Sequence, residues 1–349
     1  MSADQRSRNP FLLLTVTMLL WGGAFSSSKS VVGHVPHTVA AMLRFGGGAI
    51  ALLVAVGAQA LAGRRSGRKR RTHQHQERPA QPSRRNGITP RAITRASLAG
   101  VLGVFAYNGF IFWGLSLAPS LDGGILIPVM SPVLTTAFQL VTGREAVSRR
   151  RLLGLGLGLA GAAGYLIGAD SAAAGTGADR LAGDSLYLLS AVCWVAFTLS
   201  APKVLADIEP LTAMTCATCA GAVLLAALAA PDLGHVAWSA LPPTVWLNVA
   251  YLAVGATAVA NVFYYRGIGA VGPTSAALMM FLVPLVNTLC GTVFLGESFM
   301  LTQALGTAAL LTGAALAGRA RIRLRPKPLT RQSAERPSTA VPTAHPAQH

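Results

Sequence analysis

Apolar runs of about 18 to 25 residues recur ten times along this chain, and each can cross ~30 Å of hydrocarbon as a helix rising about 1.5 Å per residue. No other feature restricts the fold as much. The runs cover residues 11–31, 37–62, 97–117, 122–142, 152–169, 184–203, 210–230, 245–265, 273–294 and 301–318. Composition agrees, because 52% apolar and 12% charged residues, with the charges gathered in a few segments, exclude an ordinary soluble domain. The first run follows a basic flank but continues to Val32 with no small-residue cleavage site. It is read as an uncleaved helix rather than a signal peptide.

The net charge of +17 fixes an orientation. With the N-terminus inside, the inner segments hold Arg6, Arg8, the basic loop at 63–96, the cluster at 144–151, Lys203, Arg266 and the tail, whereas the outer loops hold only Arg180. That asymmetry predicts an all-α membrane protein with ten transmembrane helices, N-in and C-in. The basic loop lacks the interleaved aromatics that base stacking needs, so no nucleic acid partner is expected. Its expected contact is with anionic lipid headgroups of the bilayer.

The two halves repeat one another. Asn108, Phe112 and Gly114 are matched by Asn261, Tyr265 and Gly267 at an offset of 153 residues, and Pro132 and Glu145 by Pro284 and Glu297 at 152. Five helices per half is an odd number, so the second copy enters the membrane upside down, giving two inverted five-helix repeats. The expected division is a cytoplasmic lead at 1–10, a first repeat at 11–169 interrupted by a disordered basic loop at 63–96, an outside linker at 170–183, a second repeat at 184–318 and a disordered basic tail at 319–349. The short turn after Val32 predicts that helices 1 and 2 are antiparallel neighbours.

Chemistry-bearing patterns are few. Cys216 and Cys219 have C-x-x-C spacing, but no second pair or nearby histidine follows, so neither a metal site nor a cofactor is expected. Gly156, Gly158 and Gly161 spell G-x-G-x-x-G inside an apolar run, where helix packing is the reading, because a dinucleotide site needs a strand, a turn and a helix. The acidic residues all fall in loops, tails or helix ends, and no nucleophile, base and orienter come together, which argues against an enzyme and against a relay built on a buried carboxylate. His34 and His37, at the outer mouth, are either histidines that couple ions or ordinary exposed loop histidines, the latter leaving a facilitator or exchanger.

The W-G-x-x-F-x-x-x-K pattern from Trp21 to Lys29, the pair Arg44-Phe45, and two proline-containing helices ending in Gly143-Arg144-Glu145 and Gly296-Glu297 are together similar to the EamA-type members of the drug/metabolite transporter superfamily. The resemblance covers about residues 10–320 and implies ten helices in two inverted repeats, a central cavity lined by the first four helices of each, and export of a small molecule across a bacterial inner membrane. The function it implies is a secondary transporter moving a metabolite, amino acid or drug-like solute by alternating access. Uptake or exchange by the same fold, and a sensor or scaffold using the basic loop and tail, are the alternatives. A monomer and a homodimer are both open.

The candidate substrate-binding residues are Trp21, Phe25, Arg44, Tyr107, Asn108, Thr135, Trp194, Asn261, Tyr265 and Asn287. Arg44 stands ~10 Å below the outer helix end, where a cation either meets an anionic solute group or pairs with helix-end carbonyls. Asn108 and Asn261, equivalent amides within apolar runs, either bind solute or bridge helices. Thr135 and Asn287 follow the two prolines by three residues, next to carbonyls expected to lose their helical donors, those of Pro128 and Met280. Lys29, Pro132, Glu145, Pro284 and Glu297 are read as structural or gating residues, Lys29 as a snorkelling interfacial cation and the two glutamates as helix termini.

Overall fold

The computed structural model describes residues 3–71, 89–142, 149–170, 177–204, 208–271, 279–280 and 282–319. They are helical, with no strand among the described residues. We label the helices α1 (Ala3–Val32), α2 (His37–Arg71), α3, α4 (Ser120–Val141), α5 (Arg149–Asp170), α6 (Gly177–Val204), α7 (Pro210–Ala229), α8, α9 (Leu282–Leu295) and α10 (Leu301–Arg319). Helix α3 is α-helical over Pro90–Gly100 and Tyr107–Leu117, with a π-helical stretch at Val101–Ala106 between them, and α8 has the same build: Pro243–Ala250, π-helical Tyr251–Val259, then Ala260–Val271. Six stretches are long and apolar enough to cross a membrane: Pro10–Val32, His37–Gln59, Pro90–Leu117, Gly177–Ser200, Leu211–His235 and Pro243–Tyr264. Shorter apolar helices run over Ser120–Ser131, Leu152–Tyr165 and Leu282–Leu295.

Sequence punctuation explains several boundaries. Thr89 takes a hydrogen bond from the Ala92 N–H at 3.3 Å and Pro90 follows at the first helical position, so α3 starts well before the apolar run at 97. The loop expected at 63–96 is therefore shorter, because α2 continues to Arg71 and α3 begins at Pro90; residues 72–88 lie outside the described residues. Likewise α6 begins at Gly177, inside the expected linker, which puts Asp184 two turns into a helix rather than at its end. The tail beyond 319 also lies outside the described residues.

Helices of one half pack chiefly against helices of the other: α1 on α8 and α9, α2 on α7 and α8, α3 on α6 and α7, α4 on α6 and α9, α5 on α10. Small residues make these crossings close. A Cβ on Gly100 would stand 2.2 Å from the Ala217 carbonyl oxygen of α7, and one on Gly161 would stand 2.5 Å from the Leu310 amide of α10. The glycine-rich run of α5 is thus a packing face. The expected neighbours α1 and α2 do touch, but more lightly than each touches the second half, because their glycines face other helices: Gly22 meets Val286 of α9, and Gly48 meets Thr257 of α8.

The corner between α3 and α4 is gripped from four sides. Lys29 of α1 donates to the carbonyls of Leu115 (2.6 Å) and Ala118 (2.8 Å) at the C-terminal end of α3. Glu297 accepts from the Ser120 amide (2.8 Å), the Ser120 hydroxyl (3.0 Å) and the Leu121 amide (2.9 Å) at the N-terminal end of α4. A cation thus meets the negative end of one helix dipole and an anion the positive end of the next. Lys29 is therefore a cap on carbonyls, not a snorkelling side chain. Gly296 makes the glutamate's reach feasible: at φ +66° it ends α9 in the left-handed region, and the Glu297 amide turns back to the Gly291 carbonyl at 3.1 Å. Asn287 donates to the carbonyls of Ser120 (3.2 Å) and Leu121 (3.3 Å), and the Tyr187 hydroxyl to that of Pro119 (3.1 Å). Glu297→Ala should cost about 2 kcal/mol, the scale of a charge-assisted hydrogen bond, and the check is amide hydrogen exchange at Ser120 and Leu121, which should quicken while exchange in α5 does not.

In the same first turn of α4, Asp122 is fully buried. It receives Nε and Nη2 of Arg180 at 2.8 and 2.9 Å and the Tyr165 hydroxyl at 2.7 Å. Asp184 is buried nearby, and its Oδ1 has no hydrogen-bond partner. Asp122 stands at a helix end, as expected, whereas Asp184 does not, and both carboxylates are buried. Pro284 also departs from expectation: it sits in the first turn of α9, where proline removes no helical bond, and the Met280 carbonyl still accepts from the Val283 amide at 3.0 Å. Pro132 by contrast lies inside the continuous helix α4.

Candidate functional site

Each π-helical stretch adds a residue to a turn, which loosens carbonyls from the α-helical ladder. Side chains take up these carbonyls in the same way in both halves. Asn108 Nδ2 donates to the Val104 carbonyl at 2.9 Å, and Asn261 Nδ2 to the Thr257 carbonyl at 2.5 Å. The two bonds are related by the 153-residue offset that relates the asparagines. Neither amide donates to another helix; each mends its own. The Ala256 carbonyl of α8 takes the Trp21 indole N–H at 3.1 Å, and the Leu252 carbonyl takes the Thr257 hydroxyl at 2.8 Å.

Between the two stretches lies a cavity holding roughly 100 Å³, several times what one water needs. Its walls come from both halves: Trp21, Phe25 and Ser28 of α1, Arg44 and Phe45 of α2, Tyr107 and Asn108 of α3, Pro128 and Ser131 of α4, Trp194 of α6, Met214 of α7, and Thr257 and Asn261 of α8. The aromatics are paired, Trp21 with Tyr264 at 4.8 Å between ring centres and Tyr107 with Trp194 at 5.0 Å. Tyr264 is accordingly half-buried beside the cavity rather than an interfacial anchor. Trp113, which is 48% exposed, stacks on His37 away from it.

Arg44 is the charged residue among those described in the lining. Its Nη1 is 3.4 Å from the Ser28 hydroxyl and its Nε 3.5 Å from that of Thr257, both at the outer limit of a hydrogen bond, and its guanidinium carbon lies 5.0 Å over the Phe45 ring. No carboxylate faces it among the described residues, whereas Arg180 has Asp122. The pairing with helix-end carbonyls open to Arg44 is not made.

Of the sequence-derived site residues, the cavity unites Trp21, Phe25, Arg44, Tyr107, Asn108, Trp194 and Asn261. Asn287 is not in its lining; it braces the α3–α4 corner. The side chains of Thr135, Pro132 and Tyr265, and Glu145 altogether, lie outside the described residues. Ser28, Ser131, Met214 and Thr257 were not singled out from the sequence. Thr257 had a signal, since it stands at the 153-residue offset from Val104 and four residues before Asn261.

An all-helical bundle whose largely apolar cavity, with a few polar groups, is walled by both halves of a repeated sequence is the build of a membrane transport protein. The chain belongs to the EamA-like transporter family, whose model matches residues 9–167 and 181–319. It is 21% identical over 306 residues to a Bacillus subtilis (strain 168) protein described as the uncharacterized transporter YyaM, covering 87% of this chain and 92% of that one. A solved crystal structure matches with a TM-score of 0.57 at 23% identity, covering 90% of this chain and 98% of the other, a likeness of fold alone.

Proposed function

We propose that this transporter spans a bacterial inner membrane ten times, N-in and C-in, in two inverted repeats, and moves a small metabolite, amino acid or drug-like solute outward by alternating access around the Arg44 cavity. The observation that carries the reading is the cavity itself, walled by helices of both halves and holding a cation that the described residues leave without an acidic partner. The packing supports the repeat. Exchanging each helix with the one five places on turns α1–α9 into α6–α4, α1–α8 into α6–α3 and α2–α8 into α7–α3, all of which are packed pairs. Two such halves can rock about a fixed site.

Proteoliposomes test it. Solute movement should be found in a panel of amino acids, organic acids and nucleosides, and should fall at least ~10-fold in Arg44→Ala, the scale of a lost charge-assisted hydrogen bond. Retention of full movement by folded Arg44→Ala would remove the cavity from the pathway.

A further inference from the structure

The cavity's polar groups are unevenly disposed. The hydroxyls of Ser131 and Thr257 and the amides of Asn108 and Asn261 donate to carbonyls of their own helices. Arg44 is the cationic donor that the described lining offers an anion, held by two hydroxyl contacts at 3.4 and 3.5 Å that an incoming carboxylate can replace with shorter, charge-assisted ones. Elsewhere the fold partners its cations closely: Arg180 on the Asp122 carboxylate, and half-buried Lys29 on two carbonyls at 2.6 and 2.8 Å. The space beside Arg44 is walled by the rings of Trp21, Phe25, Tyr107 and Trp194 and has room for about one ring with a short chain.

We infer that the cavity selects a monocarboxylate with a flat, apolar body and no ammonium group. The inference rests on the Arg44 cavity being the solute site and gives that solute a charge. A monoanion cancels the guanidinium charge. A zwitterion leaves the cavity as positive as before and places its ammonium near Arg44 with no lining carboxylate to receive it, and a cation doubles the charge. The face of a single ring fits between the aromatic walls, with the carboxylate bidentate on the guanidinium.

Four compounds with one ring and different charge decide it: 3-phenylpropionate, its amide, phenylalanine and 2-phenylethylammonium. Each is added to the full chain in detergent and the thermal unfolding midpoint is read, because a ligand of the folded form raises it. The acid is expected to bind at least ~10-fold more tightly than the other three, to lose that advantage in Arg44→Gln, and to keep part of it in Arg44→Lys. An equal or larger shift with any of the other three, no shift with any, or an undiminished acid shift in Arg44→Gln overturns the inference. If Arg44→Gln does not fold, the comparison on the native chain decides alone. Vesicle transport separates the two readings: an Arg44-dependent flux of a zwitterion or cation overturns the charge selection and leaves transport standing, whereas an acid-specific shift without flux of any solute leaves the selection and removes transport.

Discussion

Arg180→Ala should destabilise the folded chain by about 3–5 kcal/mol, the usual cost of removing one partner of a buried ion pair. Asp122 is fully buried and, once the guanidinium is gone, keeps the Tyr165 hydroxyl and its neighbour Asp184 but no ion-paired cation among the described residues. Its charge then has no cationic partner in a buried site. The double variant Asp122→Asn with Arg180→Gln should recover much of the loss, since it removes both charges and can keep hydrogen bonds. The measurement is thermal unfolding in detergent, with Arg150→Ala on the exposed start of α5 as the control. A single variant no worse than that control would mean that the cluster is solvated in the native protein.

An effect of similar size is expected at the α3–α7 crossing. Gly100 faces the backbone of α7 so closely that a Cβ would meet the Ala217 oxygen at 2.2 Å and its Cα at 2.6 Å. Backbone atoms of a packed helix cannot turn aside as a flexible side chain can, so Gly100→Val has to push the helices apart and open the contacts along both. Overpacking commonly costs about 1–3 kcal/mol, and a backbone clash belongs at or above the upper end. Gly109 is the matched control, with nothing within 4 Å of a Cβ; there alanine should be neutral or stabilise by up to ~1 kcal/mol by removing glycine's freedom in a helix. Monodispersity on gel filtration after mild heating would separate the two variants, and equal behaviour would show that α3 and α7 are less tightly apposed.

Sequence periods and offsets reveal the helices and the pairing of Asn108 with Asn261, because a membrane solvent imposes length and apolarity on each run. They do not reveal the π-helical stretches, since Val101–Ala106 and Tyr251–Val259 contain ordinary apolar residues whose propensities distinguish α from π very little. The corner clamp is hidden for another reason. Lys29, Glu297 and Asp122 each look like the end of an apolar run and Arg180 like a linker residue, and only the fold brings Glu297 to Ser120 or Arg180 to Asp122. Three residues past a proline, Asn287 reads like Thr135 as a solute ligand beside a freed carbonyl, but Pro284 falls in the first turn of its helix while Pro132 lies mid-helix, so the two prolines do not shape their surroundings alike.

The interlocked packing of the halves also bears on how the protein is made. When α1 to α5 have been synthesised, the glycine face of α5 has no α10 to cover it, and the faces of α1 and α2 that receive α8 are bare. The first half therefore leaves the ribosome as a set of inserted helices without a finished interior, and the last helix to emerge closes a contact with one completed long before. Each half expressed alone should be cleared by quality-control proteases, and the two expressed together from a split within 171–176 should rescue one another.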